Sequence, residues 1–354
     1  MRVVVAMSGG VDSSVAASLL VEAGHDVVGL SMQLYDQSSG TEKFGSCCTL
    51  DDLYDARRVA ASLGIPHYIL NFEERFQQTV VHNFVDEYAA GRTPIPCAHC
   101  NADLKFTTLV DRAAGFDAGA VATGHYARVA FDETTRRYRL RRSVDREKDQ
   151  TYFLFALTQD QLAHAMFPVG HLTKAEVRAH AERAKMLVAD KPDSHEICFV
   201  PDGQTADFVE RRLPAPVVEG DIVDTSGRTV GHHRGLHRYT VGQRKGLGIS
   251  GAIPLYVVKV DTASTRLVVG PREELGRATL TASTVNWIAG APPAEPTRVT
   301  ARIRHRHADA PATVVADGDS RASLTFDVPQ LAVTPGQAVV FYQGEDVVGG
   351  GWID

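Results

Sequence analysis

The sequence predicts an α/β protein in which a domain built on a parallel sheet precedes two small β-rich domains. In the first half of the chain, short apolar runs alternate with stretches of helical periodicity, a pattern typical of parallel sheets with crossover helices. From about Pro214 onward, short strand-like runs are separated by Gly, Pro and Asp, which favours all-β structure. Because 354 residues exceed what one hydrophobic core usually fills, we predict three domains, at residues 1–213, 214–275 and 276–354.

The first domain is predicted to alternate strands with helices. Gly64 follows a helical pattern and ends it, because glycine readily adopts the left-handed conformation that closes a helix. Thr173 and Glu176 have the spacing of a capping box and predict the start of another helix. The other predicted elements are the strand Val3–Met7, a helix ending near Gly24, the strand Val27–Met32, a helix over about 51–63, the strand His67–Leu70, a helix over Glu73–Tyr88, a helix opened by Asn101, the run Ala120–Ala122 and a hairpin around Asp132–Arg136.

The β-rich remainder is predicted to divide near Glu274–Arg277. Its strand-like runs are short and rich in β-branched and aromatic residues. They are Ile222–Val223, Leu255–Val260, Arg266–Val269, Ala301–His305, Ser323–Phe326 and Ala338–Tyr342.

Composition and charge limit the class of protein. The chain is 44% hydrophobic and 23% charged, as globular proteins are, and no apolar run has the length of a membrane span. Since the N-terminus leads directly into the first predicted strand, we expect no signal peptide, a cytoplasmic location and no membrane partner. The net charge of -6 does not exclude nucleic-acid binding, because salt screens charges beyond about 8 Å and a local basic patch acts independently.

The segment Ser8-Gly9-Gly10-Val11-Asp12-Ser13-Ser14 follows the first strand and precedes a helix. Adjacent glycines permit close backbone approach, and the serine hydroxyls and the N–H groups at a helix start are donors for phosphate. The segment lacks the Lys-Ser or Lys-Thr pair of a Walker loop and the Gly-x-Gly-x-x-Gly pattern of a dinucleotide loop. It therefore predicts a phosphate or pyrophosphate cradle, with an ordinary serine-capped turn as the plainer alternative. Asp12 either orients magnesium or a loop donor there, or simply complements the helix dipole.

This segment resembles the PP-loop of the N-type ATP pyrophosphatases, which cleave ATP to AMP and pyrophosphate while adenylating a substrate oxygen. Further segments, taken in their order and spacing, are similar to those of the bacterial tRNA-specific 2-thiouridylases over nearly the whole chain. The resemblance implies a PP-loop domain of the adenine nucleotide alpha-hydrolase-like type and a β-barrel as the last domain. The segments are Gly45–Cys48, Gly91–Pro94, Cys100–Phe106, Ala122–Arg128, Lys148–Leu154, Ile197–Phe199, Tyr239–Arg244 and Gly349–Gly351.

The resemblance implies a tRNA uridine 2-sulfurtransferase that uses ATP and Mg²⁺. The O2 atom of the wobble uridine in the anticodon loop would be adenylated, so that sulfur can displace AMP and give 2-thiouridine, AMP and pyrophosphate. By resemblance, Cys198 carries the sulfur as a persulfide and Cys100 resolves it, forming a Cys100–Cys198 disulfide. The sulfur donor would be a cysteine desulfurase or a sulfur relay protein. Cys100 is expected just before the helix opened by Asn101, where the helix dipole lowers a thiol pKa.

The resemblance also assigns binding residues. ATP contacts are expected at the ends of predicted strands, and tRNA contacts on loops with basic or hydrogen-bonding side chains. The ATP set is Ala6, Met7, Ser8, Gly9, Gly10, Val11, Asp12, Ser13, Met32 and Gly124. The target base would approach Ile95, Pro96 and Cys97, and the other tRNA contacts would be His125, Lys148, Asp149, Gln150, Arg304, His305 and Gln337. The chain departs from the family pattern at Ile95, where Asn is usual, at Cys97, which is Asp or Cys in the family, and at Glu196, where Gly is common.

Three alternatives stay open. Cys97, Cys100 and Cys198 would supply three thiolates to a [4Fe–4S] cluster that carries sulfide in place of the persulfide, whereas the adjacent Cys47 and Cys48 lack the spacing of a zinc half-site. A PP-loop synthetase that adenylates a small molecule would need no thiol pair. A tRNA-binding or redox protein would bind anions at the loop without turnover.

Overall fold

The computed structural model describes residues 1–35, 49–193, 197–200, 203–249 and 253–354. In chain order, the strands are β1 (Arg2–Ala6), β2 (Asp26–Gln33), β3 (His67–Asn71), β4 (Ala120–Ala122), β5 (Ala127–Asp132), β6 (Arg137–Arg142), β7 (Ala165–Met166), β8 (Gly220–Asp224), β9 (Thr229–His233), β10 (Tyr256–Asp261), β11 (Arg266–Gly270), β12 (Gly276–Trp287), β13 (Thr297–Arg302), β14 (Ala310–Ala316), β15 (Arg321–Leu331), β16 (Ala338–Gln343) and β17 (Asp346–Ile353).

The helices lie in the first domain, and the last of them leads into the second domain. They are α1 (Val11–Glu22), α2 (Leu50–Ser62), α3 (Glu73–Phe76), α4 (His82–Ala89), α5 (Pro96–His99), α6 (Thr107–Ala114), α7 (Gln159–His164), α8 (Lys174–Arg183) and α9 (Thr205–Glu210). A π-helical segment, Gln77–Val81, joins α3 to α4, and another, Cys100–Phe106, joins α5 to α6. No helix in the described ranges is long and apolar enough to cross a membrane.

The first domain is built on a parallel sheet with the strand order β3-β2-β1-β4-β7. Val3, Val4 and Val5 of the central strand are fully buried, because helices cover both faces. On one face Val3 and Val5 pack in a cluster with residues of α1, α2 and α8, and on the other Val4 packs with residues of α4 and α6. The predicted α/β class is confirmed, and the carboxyl ends of β2, β1 and β4 lie side by side at one edge.

Capping explains two of the helix starts. In α8 the predicted capping box is present: the Thr173 hydroxyl accepts from the Glu176 amide at 3.3 Å, and the Glu176 carboxylate accepts from the Thr173 amide at 2.7 Å. In α2 the same reciprocal pair is formed by Thr49 and Asp52, which sequence analysis did not identify. Each box satisfies N–H groups that the first helical turn leaves unpaired.

The helix predicted to open at Asn101 instead begins at Pro96. Proline fits the first helical position, since its missing N–H is not needed there, and Ile95 is the N-cap residue. The helical path then runs through the π-helical segment into α6. Cys100 therefore lies in the second turn and not at the helix start, so the expected effect of the helix N-terminus on its pKa does not apply. Cys97 occupies the first turn.

The β-rich part forms two sheets. The central one has the order β10-β11-β8-β9. Strands β12, β15, β14, β13, β16 and β17 pair in that order, and β12 also pairs with β17, which closes a six-stranded barrel. The predicted barrel is thereby confirmed. The strand expected over Ala301–His305 is shorter, because β13 ends at Arg302.

The predicted hairpin around Asp132–Arg136 is present as β5 and β6, but it joins the barrel. Its strands pair antiparallel over six residue pairs, and Arg141 of β6 pairs with Asp346 of β17. A segment that belongs to the first domain by sequence thus extends the last sheet. This long-range pairing ties the two domains together.

Candidate active site

The loop between β1 and α1 has the shape of an anion cradle. Gly9 has φ of +75°, and a Cβ built on it would lie 2.1 Å from the Asp52 carbonyl oxygen, so only glycine fits. Ser8 and Ser13 bring their hydroxyl oxygens to 3.3 Å from each other, and the Ser14 hydroxyl donates to the Gly10 carbonyl at 2.9 Å. Gly10 is the N-cap residue of α1. The Ser13 hydroxyl also donates to the Gly10 carbonyl, at 3.1 Å, so the first N–H groups of α1 are the donors that this loop offers to an approaching anion.

The structure brings the predicted ATP residues to one edge of the parallel sheet. Ala6 ends β1, Met32 lies near the end of β2, and Gly124 follows β4. A Cβ on Gly124 would lie 2.5 Å from the Ser13 backbone nitrogen, so glycine lets this strand end approach the start of α1. Met32 is 8% exposed and packs in the apolar cluster of Val4 and Leu30. The side chain of Met32 is thus a core side chain, while its backbone lies at the edge where open α/β sheets bind nucleotides.

Asp12, in the first turn of α1, is held by two side chains from distant parts of the chain. The Tyr126 hydroxyl donates to its Oδ1 at 2.8 Å, and the Lys174 ammonium donates to both carboxylate oxygens at 2.7 and 2.9 Å. Burial, followed by the charge of Asp12, raises the pKa of Tyr126, so its hydroxyl keeps its proton. Both carboxylate oxygens of Asp12 thus accept hydrogen bonds within the protein, and the charge of Lys174 balances that of Asp12.

Lys174 and Asp193 belong to the site although the residue assignment missed them. The Lys174 ammonium also contacts Asp193 at 2.8 Å, and Lys148 contacts the other oxygen of Asp193 at 2.7 Å. Although burial opposes it, hydrogen bonds from Lys148 and Lys174 lower the pKa of Asp193 to about 2. In the sequence, Lys174 is notable only because it lies between Thr173 and Glu176 of the capping box. Its separation from Asp12 along the chain left no local signal of the contact.

The two predicted sulfur-handling cysteines meet at one apolar cluster. Cys100 is 6% exposed and belongs to the cluster that includes Phe84 and Phe199, and Cys198 packs against the same cluster while remaining half-buried. Cys97 is exposed. The fold therefore joins residues that are distant in sequence and leaves the third cysteine at the surface.

The described residues include no metal site formed by the three cysteines that were considered as ligands of an iron–sulfur cluster. Among the described ranges, no group of three or more His, Cys, Asp or Glu side chains is arranged to hold a metal ion. Cys100 packs in an apolar cluster, whereas Cys97 is exposed. Cys47, Cys48 and Glu196 lie outside the described residues.

The segment before the exposed cysteine is clamped between the two β-rich domains. The Thr93 amide donates to the Pro335 carbonyl at 2.8 Å, the Gln337 side chain donates to the Thr93 carbonyl at 2.8 Å, and the hydroxyls of Thr93 and Thr240 are 3.1 Å apart. Of the residues expected at the target base, Ile95 and Pro96 are buried and only Cys97 is exposed. Gln337, expected at tRNA, has its side-chain amide engaged inside the protein.

The other residues expected at tRNA separate into buried and accessible groups. The Asp149 carboxylate is buried, accepts from the Thr151 hydroxyl at 2.8 Å and lies 3.5 Å from Arg302. Burial, with a smaller contribution from Lys105, lowers the pKa of His125 to about 3, so its ring is neutral. Gln150 exchanges hydrogen bonds with the Tyr126 backbone. Of these three, only Asp149 is buried, while His125 and Gln150 are half-buried.

Lys148, Arg304 and His305 lie nearer to solvent. Lys148 is half-buried, and its ammonium contacts Asp193. Arg304 is exposed in the turn after β13 and donates to the Leu331 carbonyl at 3.3 Å. The His305 ring lies 4.6 Å from the ring of Phe153. These side chains supply positive or ionisable groups at accessible positions.

Comparisons with known proteins match nearly the whole chain. It is 53% identical to the tRNA-specific 2-thiouridylase MnmA of Solibacter usitatus, with 99% of both chains covered. It is 52% identical to the protein of the same name from Geotalea uraniireducens, covering 100% of this chain and 95% of that one. Family profiles match residues 1–202 (tRNA methyl transferase HUP domain), 206–271 (tRNA methyl transferase PRC-barrel domain) and 277–353 (Aminomethyltransferase beta-barrel domain).

Similarity to solved structures is weaker. The structure of NMN synthetase from Francisella tularensis matches 55% of this chain and 66% of its own at 20% identity, with a TM-score of 0.34. A 4-thiouridine synthetase in complex with RNA and bound ATP matches 55% of this chain and 44% of its own at 14% identity, with a TM-score of 0.35. Both scores are too low to carry functional weight.

Proposed function

This chain belongs to the tRNA-specific 2-thiouridylase family, and we propose on that basis that it replaces O2 of the wobble uridine in tRNA with sulfur at the expense of ATP. It is an enzyme of tRNA modification. The family profiles carry "tRNA methyl transferase" in their descriptions, whereas relatives that are about half identical over the full chain are named 2-thiouridylases. The full-length relatives therefore decide the reaction class.

One observation carries the proposal: an anion cradle and two cysteines of a shared apolar cluster lie in the same domain. The cradle is the loop from Ser8 to Ser13, and the cysteines are Cys100 and Cys198. Adenylation needs the first, and delivery of sulfur to the activated carbon needs the second. An enzyme that only adenylated a small molecule would have no use for the pair.

In the activation step, the uridine O2 attacks the α-phosphorus of ATP and pyrophosphate leaves. The C2 carbonyl lies between two ring nitrogens and is a poor electrophile, so conversion of its oxygen to an AMP leaving group removes the main obstacle. Donors of the cradle, the N–H groups at the start of α1, stabilise the negative charge that moves onto the pyrophosphate. Mg²⁺, when bound with ATP, adds positive charge at the phosphates. Asp12 is the carboxylate that would orient it, with Lys174 as its neighbour.

In the sulfur step, we assign Cys198 as the persulfide carrier and Cys100 as the resolving thiol. The Cys100 thiolate attacks the inner sulfur of the Cys198 persulfide, a disulfide forms between the two cysteines, and the outer sulfur leaves as hydrosulfide. Hydrosulfide adds to C2 of the uridine and AMP leaves, which gives the thiocarbonyl. A thiol reductant then reduces this disulfide by thiol–disulfide exchange, is itself oxidised to a disulfide, and restores both thiols. The half-buried position of Cys198 and the burial of Cys100 suit a carrier that is loaded from outside and a thiol protected from side reactions.

The target base must leave the stacked anticodon loop, which single-stranded loops permit at modest cost. We propose that Cys97 and the backbone of Ile95 and Pro96 face it, since Ile95 itself is buried. Lys148, Arg304 and His305 contact phosphates. His125, Asp149, Gln150 and Gln337 support the tRNA surface from within.

The identity of the sulfur donor, the cytoplasmic location and the boundaries of the three domains are predictions. A cysteine desulfurase or a relay protein would load Cys198. The cluster alternative predicts activity that depends strictly on iron. The persulfide route predicts that anaerobically purified protein is active without iron absorbance.

Mass spectrometry of wobble nucleosides tests the function directly. Whole protein, ATP, unmodified tRNA and a cysteine desulfurase with cysteine should yield uridine with sulfur in place of oxygen, together with tRNA-dependent pyrophosphate. We expect Cys198→Ser to release pyrophosphate but form no 2-thiouridine, while Cys97→Ser keeps both products. Absence of tRNA-dependent pyrophosphate from the wild type would refute the proposal, and intact 2-thiouridine formation by Cys198→Ser would refute its sulfur step.

A further inference from the structure

Asp193 precedes Cys198 by five residues and is held by three cations, one from residues 148–150 and two from α8. Lys148 contacts one carboxylate oxygen at 2.7 Å, and Lys174 and Arg178 contact the other at 2.8 and 3.1 Å. Its pKa of about 2 keeps the carboxylate ionised at neutral pH. A carboxylate with three such partners, 20% exposed, has a defined position.

Two of these cations connect Asp193 to different parts of the proposed active site. Lys174 contacts Asp12 of the cradle with the same ammonium that contacts Asp193. Lys148 belongs to residues 148–150, which we assign to the tRNA surface. An alternating series of charges, Asp12, Lys174, Asp193 and Lys148, therefore runs from the ATP cradle to the tRNA surface.

The residues just before Asp193 are anchored as well. We call residues 189–193 the brace. Arg178 of α8 donates to the Ala189 carbonyl at 2.8 Å and to the Lys191 carbonyl at 3.2 Å. The Lys191 ammonium donates to the Gly9 carbonyl at 3.0 Å and to the Asp52 carboxylate at 2.6 Å. The brace is thus fastened to the cradle at Gly9 and to α8 at Arg178.

The brace limits where Cys198 can lie. Five residues of chain span at most about 17 Å, so the anchored end at Asp193 restricts the cysteine to the neighbourhood of the cradle. The other end of this short stretch packs with Phe199 in the cluster of Cys100. Loss of the anchor would widen the range of positions open to Cys198.

We propose that Asp193 is a positioning residue that holds the brace in place against both the ATP cradle and residues 148–150, and thereby limits the positions open to Cys198, five residues further along the chain. The inference rests on the proposed function in that Cys198 carries the transferred sulfur. Asp193 does not touch the reacting atoms. Its role is to keep Cys198 near the ATP cradle, so that sulfur is delivered where the uridine oxygen is adenylated.

The test compares two products of the same reaction in the whole protein. With ATP, unmodified tRNA and a cysteine desulfurase with cysteine, Asp193→Asn should slow pyrophosphate release, because Lys174 loses one of its two carboxylate partners, and 2-thiouridine formed per pyrophosphate should fall by about a further tenfold. Asp193→Glu should recover part of that ratio. Asp190→Asn is the matched control, because it removes the same charge from an exposed residue of the brace, and it should keep the wild-type ratio.

Arg178→Gln provides a second variant that alters neither the cradle nor residues 148–150. We expect the same ratio to fall about threefold, since the brace keeps its other anchors. A parallel fall of both products in Asp193→Asn and Arg178→Gln, or an unchanged ratio in both, would overturn the inference. If Asp193→Asn does not fold, Arg178→Gln decides alone.

A measurement without turnover separates this inference from the proposed function. Alkylation of Cys198 by iodoacetamide, followed by peptide mass spectrometry of the otherwise untreated protein, should be several-fold faster in Asp193→Asn than in Asp190→Asn. Equal alkylation rates contradict the positioning role. A wild-type protein without tRNA-dependent pyrophosphate release would refute the proposed function, and the alkylation rates would still report on the brace.

Discussion

The ATP cradle and the clamped segment at residues 91–97 are built in opposite ways. The cradle is formed by nine consecutive residues, from Ala6 to Ser14. They comprise the end of a strand, two glycines, the serines and the start of a helix. The clamped segment contains little regular secondary structure. Its Thr93 is hydrogen-bonded to Pro335 and Gln337 of the barrel domain and to Thr240 of the central β-rich domain. Consecutive residues therefore form the anion cradle, whereas the position of the segment that we propose to face the base depends on how three domains meet.

A substitution in the cradle should have the largest effect. In Gly9→Ala the added Cβ would lie 2.1 Å from the Asp52 carbonyl oxygen, so the loop has to move. Misplacement of reacting groups by about 1 Å costs about 100-fold in rate, and we expect at least that loss of tRNA-dependent pyrophosphate release. The rate at saturating ATP and tRNA checks it.

Gly24→Ala is the matched control for this prediction. Gly24 has φ of +77°, nearly that of Gly9, but no atom lies within 4 Å of the added Cβ. It should cost about 1 kcal/mol of unfolding free energy and leave the rate unchanged. Equal loss of activity in the two variants would show that backbone conformation, and not the contact with Asp52, limits the cradle.

A substitution in the clamp should have a smaller and more selective effect. In Gly336→Ala the Cβ would lie 2.9 Å from the Thr93 amide nitrogen and from the Arg92 Cβ, which pushes the barrel away from the segment that precedes Cys97. We expect kcat/KM for tRNA to fall about tenfold while KM for ATP stays constant. Steady-state kinetics with each substrate varied in turn distinguishes the two.

Gly344→Ala tests whether the contact is responsible. Gly344 has φ of +60° in the same barrel, and nothing lies within 4 Å of its Cβ position. It should retain the wild-type kcat/KM for tRNA. A rise in KM for ATP in Gly336→Ala would show that the clamp and the cradle are not independent of each other.

The smallest predicted effect is a pH dependence of tRNA binding. Desolvation and the nearby Arg306 and Arg302 lower the pKa of His305, so its ring is neutral at neutral pH. A phosphate beside it stabilises the protonated form and raises that pKa, so binding takes up a proton and tightens as the pH falls. We expect Kd to decrease about threefold between about pH 8 and about pH 6.

Fluorescence anisotropy of labelled tRNA at several pH values measures this effect. His305→Gln should remove it, and the exposed His82, changed to Gln, should not. If both variants keep the same pH dependence as the wild type, His305 is not at a phosphate.

Part of the site could be predicted because its signals are local. The glycines and serines of the cradle, the capping box at Thr173 and the closely spaced hairpin of β5 and β6 follow from neighbours in the chain. Cys100 was correctly associated with a helix, but the helix start was wrong, since Pro96 begins it. Lys174 and Asp193 were missed because their partners are far away in sequence.

The sequence by itself determined the α/β class of the first domain and the cradle, and through its resemblance it predicted the reaction and the roles of Cys100 and Cys198. Each of these depends on backbone conformations and periodicities that a few consecutive residues impose. Only the tertiary structure decided that the β5 and β6 hairpin extends the barrel, that Lys174 bridges Asp12 and Asp193, and that Thr93 is held by two other domains. Charges and hydrogen-bonding groups pair with whatever the packed core brings beside them, and that depends on the whole fold.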